Sequence, residues 1–440
     1  MIEREIDRVV DLTDPAASRV LNMSLEEARR RVRSGTPEAA ASIDGSFALV
    51  ARDGRAARLA RSLDRPLRYF LAKQKDGPVL VVSDRIDAIA AWLRREGLLG
   101  QFHPSYTRMV PAHHVLTIEI VGCPDPSPTC ERFFTPEMAT AGTDRDALGA
   151  RYVGALAAEI GSWLRAVPPE EPIGVCFSGG VDSGAVFLVT YHALCALGMS
   201  PARLKAFTLS AGGGADLEQA REFLGVLGLE MFLETIETAP EALDPLEAVR
   251  VVEDYKPLDV ESATMALALA RGIRERHAGW RLLVDGDGGD ENMKDYPIEE
   301  NPELTIRSVV SNPLLYQEGW GVGKLKHSLT YTGGQSRSAT RSYAPLRRFG
   351  FEGFSPYTRP SVIAAAEAIP FAQIAAGDVA ALYALKGDLV ARGVKTVTGL
   401  TMPVFTKRRF QHGALAEGQA HRRFPHAEAA YREHLMAAYP

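Results

Sequence analysis

The chain is poor in cysteine, has no long apolar run and carries no strong excess of one charge, and each absence excludes a class of protein. Four cysteines among 440 residues cannot build the disulfide framework of a small secreted domain. Cys176 and Cys195, on an apolar strand and the helix after it, read as packing residues. Cys123 and Cys130 bracket a Pro-rich loop and could pair or help bind a metal, but with no second Cys or His pair at ligand spacing free thiols are the preferred reading. No segment is long and apolar enough to span a bilayer, and Met1-Ile2-Glu3-Arg4-Glu5-Ile6-Asp7-Arg8 has no signal-peptide core. A cytoplasmic protein with no membrane partner is the expectation. Fifty Lys and Arg against fifty-five Asp and Glu, a net charge of −5, leave no basic coat for nucleic acid, which is disfavoured as a partner.

Length points to two domains, expected over residues 1–138 and 139–440. Residues 1–40 are charged and helix-prone, with Ser24 as N-cap of a helix through Arg33. Strand-length runs follow at 46–51, 57–61, 67–71 and 78–83, then a helix at about 85–96 and strands near 109–120, together a compact α+β module. After a linker at Phe133-Phe134-Thr135-Pro136, the spacing predicts an amphipathic helix over 144–166. Strands are then expected at 173–177, 204–210, 230–236 and 281–285, with helices at 184–198, 215–227 and 262–277 between them. That alternation predicts an α/β fold, a doubly wound parallel sheet whose ligands sit at the carboxyl ends of its strands.

Two loops at those ends carry the chemistry. Ser178-Gly179-Gly180-Val181-Asp182-Ser183 turns a buried strand into a helix and gathers backbone N–H groups, two hydroxyls and a helix N-terminus around one point, an environment for a polyphosphate. Its glycines allow close backbone approach and Asp182 is suited to magnesium. The Lys-Ser/Thr ending of a Walker loop is absent. Asp285-Gly286-Asp287-Gly288-Gly289-Asp290-Glu291 packs three glycines and four carboxylates into seven residues, a poor structural choice unless the loop approaches a ligand or cation.

The first loop resembles the Ser-Gly-Gly-x-Asp-Ser signature of the ATP pyrophosphatase superfamily, and the two loops together resemble the asparagine synthetase family, whose second loop reads Ser-Gly-Glu-Gly-x-Asp-Glu. The resemblance implies ATP cleaved between the α and β phosphates, with Mg2+ held by Asp182 and Asp290. Ser178, Gly179, Gly180, Asp182, Ser183, Ser210, Asp285, Gly286, Asp287 and Gly288 would line the nucleotide site. Val252-Glu253-Asp254-Tyr255 resembles the family's Glu-Thr-Tyr-Asp segment and implies Glu253 as the base that deprotonates a nitrogen nucleophile, although a Glu beside Asp and Lys is usually a solvated charge. Lys386, on a helix over 379–392, matches the lysine that meets the α-phosphate, and Thr406-Lys407-Arg408-Arg409-Phe410-Gln411 resembles the family's Pro-Lys-Arg-Gly-Phe.

Two departures matter. In Gly350-Phe351-Glu352-Gly353-Phe354-Ser355-Pro356-Tyr357-Thr358, Phe354 stands where the family has arginine and Thr358 where it has aspartate, which makes free aspartate a doubtful substrate. Residues 44–49, 62–69 and 82–85 resemble part of a glutaminase domain of the N-terminal nucleophile type, truncated here. Position 2 is Ile2, no cysteine precedes Cys123 and the Asn-Gly-Glu segment has no counterpart, so glutamine hydrolysis is not expected. The expected partners are a small-molecule carboxylate and ammonia or an amine, with a homodimer as an open option. A carbon–nitrogen ligase is the leading reading; a β-lactam synthetase-like cyclase or amine ligase, an RNA-modifying enzyme and a non-catalytic nucleotide-binding partner are the alternatives. Residues 301–349 read as loops and helices able to cover the site.

Overall fold

The computed structural model describes residues 8–73, 78–119, 128–300, 304–313, 339–406, 413–415, 419–424 and 427–439. Two compact units emerge, one built on Met1–Thr135 and the other on Pro136–Tyr316 with Thr340–Tyr431; the residues from Arg432 onward group with the first.

In the first unit the strands are β1 (Arg8–Asp11), β2 (Arg19–Val20), β3 (Gly45–Ser46), β4 (Ala48–Asp53), β5 (Ala56–Arg61), β6 (Arg68–Ala72), β7 (Val79–Ser83), β8 (Arg108–Met109), β9 (His114–Glu119) and β10 (Thr129–Arg132). They form two four-stranded sheets, ordered β1-β7-β6-β8 and β10-β9-β5-β4. Alternation decides what each face meets. Ala57 and Leu59 of β5 pack with Leu80 and Val82 of β7 between the sheets, whereas Leu49, Ala51 and Ala60 face the helix α1 (Leu25–Ser34) through Ala28 and Val32. The residues 37–41 form a short helix α2 (Pro37–Ala41), and α3 (Ile86–Arg95) packs on β6 and β7. Ser24 caps α1, its side chain accepting from the Glu27 N–H at 3.2 Å.

Three expectations change here. The charged N-terminal stretch is not helical throughout, because Arg8–Asp11 pairs in parallel with β7 and Val9 packs against the inter-sheet core. An edge strand tolerates the flanking charges that suggested helix. The Pro-rich stretch ends in a strand, since β10 pairs antiparallel with β9 and leaves Cys130 exposed; Cys123 lies outside the described residues. Cys195 is exposed and is not a packing residue.

The second unit begins with α4 (Arg145–Ala166), then β11 (Ile173–Cys176), α5 (Val181–Ala196), β12 (Leu204–Ala211), α6 (Ala215–Val226), β13 (Leu233–Thr238), α7 (Pro245–Val252), α8 (Pro257–Arg276), β14 (Leu282–Val284), the short α9 (Gly289–Asn292) and β15 (Glu352–Phe354). All five strands are parallel, in the order β13-β12-β11-β14-β15. The 230–236 run is a 3-10 turn over Glu230–Phe232 before its strand, and β15 is an added edge strand. Met265, Leu269 and Ile273 of α8 cover Phe207 and Leu209 on one face. Chain order reverses between β11 and β14, so the loops that leave these two strands flank the crevice where α/β sheets take their ligands.

A long helix, Val379–Thr398, carries Lys386 and crosses α4 backbone to backbone. A Cβ on Gly149 would stand 2.4 Å from the Leu389 carbonyl oxygen, and one on Gly393 would stand 2.2 Å from that of Gly149. Bare backbone at this crossing lowers the helix far enough for Lys386, two turns before Gly393, to reach the crevice.

Candidate active site

The serine–glycine loop is anchored before it reaches the crevice. Phe177, next after β11, packs against Phe187 and Phe223 at 5.5 and 5.4 Å between ring centroids. The Ser178 carbonyl accepts from Gln219 Nε2 of α6 at 3.3 Å. Gly179 adopts a left-handed φ of 72°, and a Cβ there would lie 3.0 Å from the backbone of Gln219 and Ala220. Its glycine therefore serves the turn and the packing on α6. The two hydroxyls finish the loop: Ser183 Oγ accepts from the Ser178 N–H at 3.2 Å and Ser178 Oγ from the Gly180 N–H at 3.3 Å. Gly180 is the N-cap of α5 without a side-chain capping bond, which leaves the helix's positive end facing the crevice.

The acidic loop lies directly against it. Asp285 is buried; its Oδ1 accepts from the Asp287 N–H at 3.0 Å and its Oδ2 from Ser355 Oγ at 3.0 Å. A Cβ on Gly286 would stand 3.0 Å from the Ser183 nitrogen and 3.1 Å from Asp182 Cβ, and one on Gly289 only 2.2 Å from Asp182 Oδ1. Gly288, at φ 99°, caps α9 in the left-handed region. Two of the three glycines are thus clearances for Asp182.

Lys386 closes the arrangement from above. Lys386 is 5% exposed, and its ammonium donates to Asp182 Oδ2 at 2.5 Å and to Asp290 Oδ1, with Asp295 Oδ2 at 3.4 Å. Burial works against this charge, yet Asp182, Asp290 and Asp295 raise its pKa well above the ordinary lysine value. Behind Asp182, Tyr357 Oη donates to its carbonyl at 3.4 Å, and Tyr357 stacks on Tyr152 at 5.9 Å.

Two carboxylates of the acidic loop are strongly perturbed. Burial, reinforced by Asp287, pushes Asp285 well above the carboxylate range. Burial also pushes Asp287 up to about 6, with Arg341 and a hydrogen bond from Ser342 working in the other direction. Arg341 donates to Asp259 Oδ1 of α8 at 3.2 Å. Burial opposes its charge, but Asp259, Glu291, Asp287 and Asp290 raise its pKa further. Arg341 and Ser342 belong to the stretch read only as a cover, and their part in the loop had no sequence signal beyond a run of serines and arginines. Asp295 was also missed, because a carboxylate next to a lysine reads as surface charge. The 407–411 part of the basic motif, with Lys407, lies outside the described residues.

Glu253 is not the solvated charge that its neighbours suggested. It ends α7 at φ 53° and is 1% exposed, as is Asp254. Asp254 Oδ1 accepts from the N–H groups of Tyr255 and Lys256 at 2.6 and 3.1 Å. Its Oδ2 is buried and makes no hydrogen bond among the described residues. Burial, partly offset by Lys256, pushes Asp254 up to about 6. The folded state therefore holds this proton more tightly than the unfolded chain between roughly pH 4 and 6. Stability falls as pH rises through that window, and the penalty is complete above it. Asp254→Asn keeps the Oδ1 acceptor and removes the charge. It is expected to raise stability by about 1–2 kcal/mol at neutral pH, with the gain gone near pH 4. Thermal melts of both proteins at the two pH values check this, and an equal difference at both would rule it out.

Ser178, Gly180, Asp182, Ser183, Gly286, Asp287, Gly288, Asp290 and Lys386 thus surround one crevice. Ser210 sits near the carboxyl end of β12, 8% exposed. The donor set fits a magnesium ion. Asp182 and Asp290 converge on a single cationic atom, so they are spaced to share a cation, and their side chains keep 20% and 34% exposure. Magnesium characteristically takes one or two carboxylates and completes its shell with phosphate oxygens and water. Among the described residues no group of three or more acidic, His or Cys side chains forms a metal cage. No helix of the described residues is long and apolar enough to cross a membrane.

A family model described as asparagine synthase matches residues 165–422, a span that contains both loops and Lys386. The chain is 25% identical over 138 residues to the glutamine-hydrolyzing asparagine synthetase of Triphysaria versicolor, covering 30% of this chain and 23% of that protein. Similarity to glutamine-hydrolyzing asparagine synthetase 2 of Lotus japonicus is 28% over 138 residues, with the same coverage. The glutamine-hydrolyzing asparagine synthetase of Sandersonia aurantiaca is 29% identical over 140 residues, 30% of this chain and 26% of that protein. The matches span about a quarter of the length of these curated relatives.

Proposed function

The chain belongs to the asparagine synthase family, and from that membership we propose that it is an ATP-dependent, AMP-forming carbon–nitrogen ligase. The observation that carries this reading is the convergence of Asp182, Asp290 and Lys386 where the two glycine loops meet at the carboxyl edge of a parallel sheet. The serine–glycine loop and the N-terminus of α5 bind the β and γ phosphates. Lys386 meets the charge that develops on the α-phosphate as an oxygen of the substrate carboxylate forms a bond to that phosphorus and the bond to pyrophosphate breaks. Glu253 takes the proton of the nitrogen nucleophile, whose lone pair then attacks the acyl carbon and expels AMP. Asp182 and Asp290 would hold magnesium, which supplies charge neutralisation to the leaving pyrophosphate.

The nitrogen reaches the acyl group as ammonia or an amine in this reading, with the first unit serving as a glutaminase-like scaffold. A substrate other than aspartate is favoured by Phe354. Where the resemblance implies an arginine, Phe354 is 3% exposed and stacks on Trp163 with centroids 4.9 Å apart. Thr358 likewise spends its hydroxyl on the Ser355 carbonyl at 2.6 Å. Neither offers a charge to an amino-acid head group, which supports an intramolecular cyclase or amine ligase as the second reading.

The test is pyrophosphate release from ATP and magnesium with pools of amino acids and other small carboxylates, with and without ammonium. Release that depends on one pool supports adenylation; ammonium dependence then separates amidation from cyclisation. Magnesium-dependent ATP binding absent in calorimetry would remove the ligase reading.

A further inference from the structure

Among the described residues Lys386 has three carboxylates around it, two of them from the serine–glycine and acidic loops. The third, Asp295, stands on a turn built with unusual care. Lys294 precedes it at φ 58°, a left-handed conformation that a non-glycine residue adopts only when its surroundings enforce it. The enforcement is visible. Lys294 is fully buried and pairs with Glu367, itself 1% exposed. Its ammonium also donates to the Asn312 carbonyl at 3.4 Å and lies 5.8 Å from the centre of the Phe371 ring. The Asp295 N–H returns to the Asp290 carbonyl at 3.0 Å, and the N–H of Tyr296 to that of Lys294 at 3.0 Å. Burial drives Lys294 and Glu367 toward their neutral forms, so this pair is a poor investment for stability alone. What it achieves is the placement of Asp295 against Lys386.

We propose that Asp295 is a positioning residue that holds the Lys386 ammonium when Asp182 and Asp290 turn to a divalent cation, with the Lys294–Glu367 pair as its strut. This rests on the ligase reading, and it addresses a conflict inside it. A metal on the same two carboxylates would repel the buried ammonium at that range. Asp295 is set back from the crevice, with a side chain 10% exposed against 34% for Asp290. It can keep the lysine in place while the other two are engaged.

The experiment uses the full chain and titrates ATP binding with magnesium by calorimetry, for the wild type, Asp295→Asn, Asp295→Glu and Asp388→Asn, an acidic residue on the same helix that pairs with Arg145 and Arg392 instead. Without Asp295 the lysine competes with the metal for Asp182 and Asp290. The magnesium concentration for half-maximal ATP binding is expected to rise about tenfold in Asp295→Asn, with affinity at saturating magnesium changed far less, and to be recovered in good part by Asp295→Glu. Asp388→Asn should behave as wild type. A magnesium requirement unchanged in Asp295→Asn, or a loss of affinity equal at all magnesium concentrations, overturns the proposal and leaves the ligase reading standing. If Asp295→Asn does not fold, a requirement raised tenfold in Asp295→Glu, where the charge is retained, overturns it as well. A wild type that binds no ATP at any magnesium concentration overturns both.

Discussion

Lys386→Met is expected to lower the stability of the second unit by about 3 kcal/mol and pyrophosphate release by about 10²–10³-fold. Asp182, Asp290 and Asp295 share this one cation, and methionine leaves them facing each other across a partly buried gap. Removing one partner of a buried ion pair typically costs 3–5 kcal/mol; the lower end applies because Asp182 and Asp290 are 20% and 34% exposed and water screens part of the repulsion. The sign of the pH dependence follows. Crowded carboxylates without a cation have folded-state pKa values raised above their unfolded ones, so the folded variant binds more protons and gains stability as pH falls. The deficit should be fully present near neutrality and shrink below about pH 5. Magnesium should raise the melting temperature of the variant more than that of the wild type, since it restores a positive charge to the same oxygens. Melting curves at two pH values with and without magnesium check the set, and a deficit indifferent to pH would point to lost packing of the lysine stem instead.

The two loops of the candidate site could be picked out from residue types because their local composition is unusual. Ser178–Ser183 and Asp285–Glu291 combine glycine, hydroxyl and carboxylate groups in a way that neither a core nor an ordinary surface favours. The apolar runs that lead into them are strands of the five-stranded parallel sheet. What stayed hidden depends on distant contacts. Asp295 and Arg341 acquire meaning only when Lys386 and the acidic loop arrive beside them. Neither has a local pattern. β15 spans three residues and is a strand only because β14 offers it an edge; a run that short has no period to detect. Arg8–Asp11 is a strand for the same reason. Glu253 misled in the opposite direction, because charge density along the sequence says nothing about which charges the fold buries.

The acidic loop offers a sharper test of how the crevice is assembled. Gly289→Ala should reduce magnesium-dependent ATP binding by about a hundredfold, roughly 2.7 kcal/mol, with the fold retained. Gly289 begins α9 with an ordinary negative φ, so alanine meets no backbone penalty there. The obstacle is steric. The new Cβ would stand 2.2 Å from Asp182 Oδ1 and 2.4 Å from Asp182 Cγ, far inside contact distance. Asp182 has little room to yield. Its Oδ2 is held by Lys386 at 2.5 Å, and Gly286 lies near enough that a Cβ there would stand 3.1 Å from Asp182 Cβ. The carboxylate must therefore leave the position it shares with Asp290, and a metal that needs both loses one of its protein ligands. Gly154→Ala provides the comparison, because a Cβ there meets nothing within 4 Å and alanine favours the helix. Calorimetric titration of the two variants with ATP and magnesium decides the matter. Wild-type affinity in Gly289→Ala would mean that Asp182 is free to move, and that the contact between the two loops does not set the geometry of the cation site.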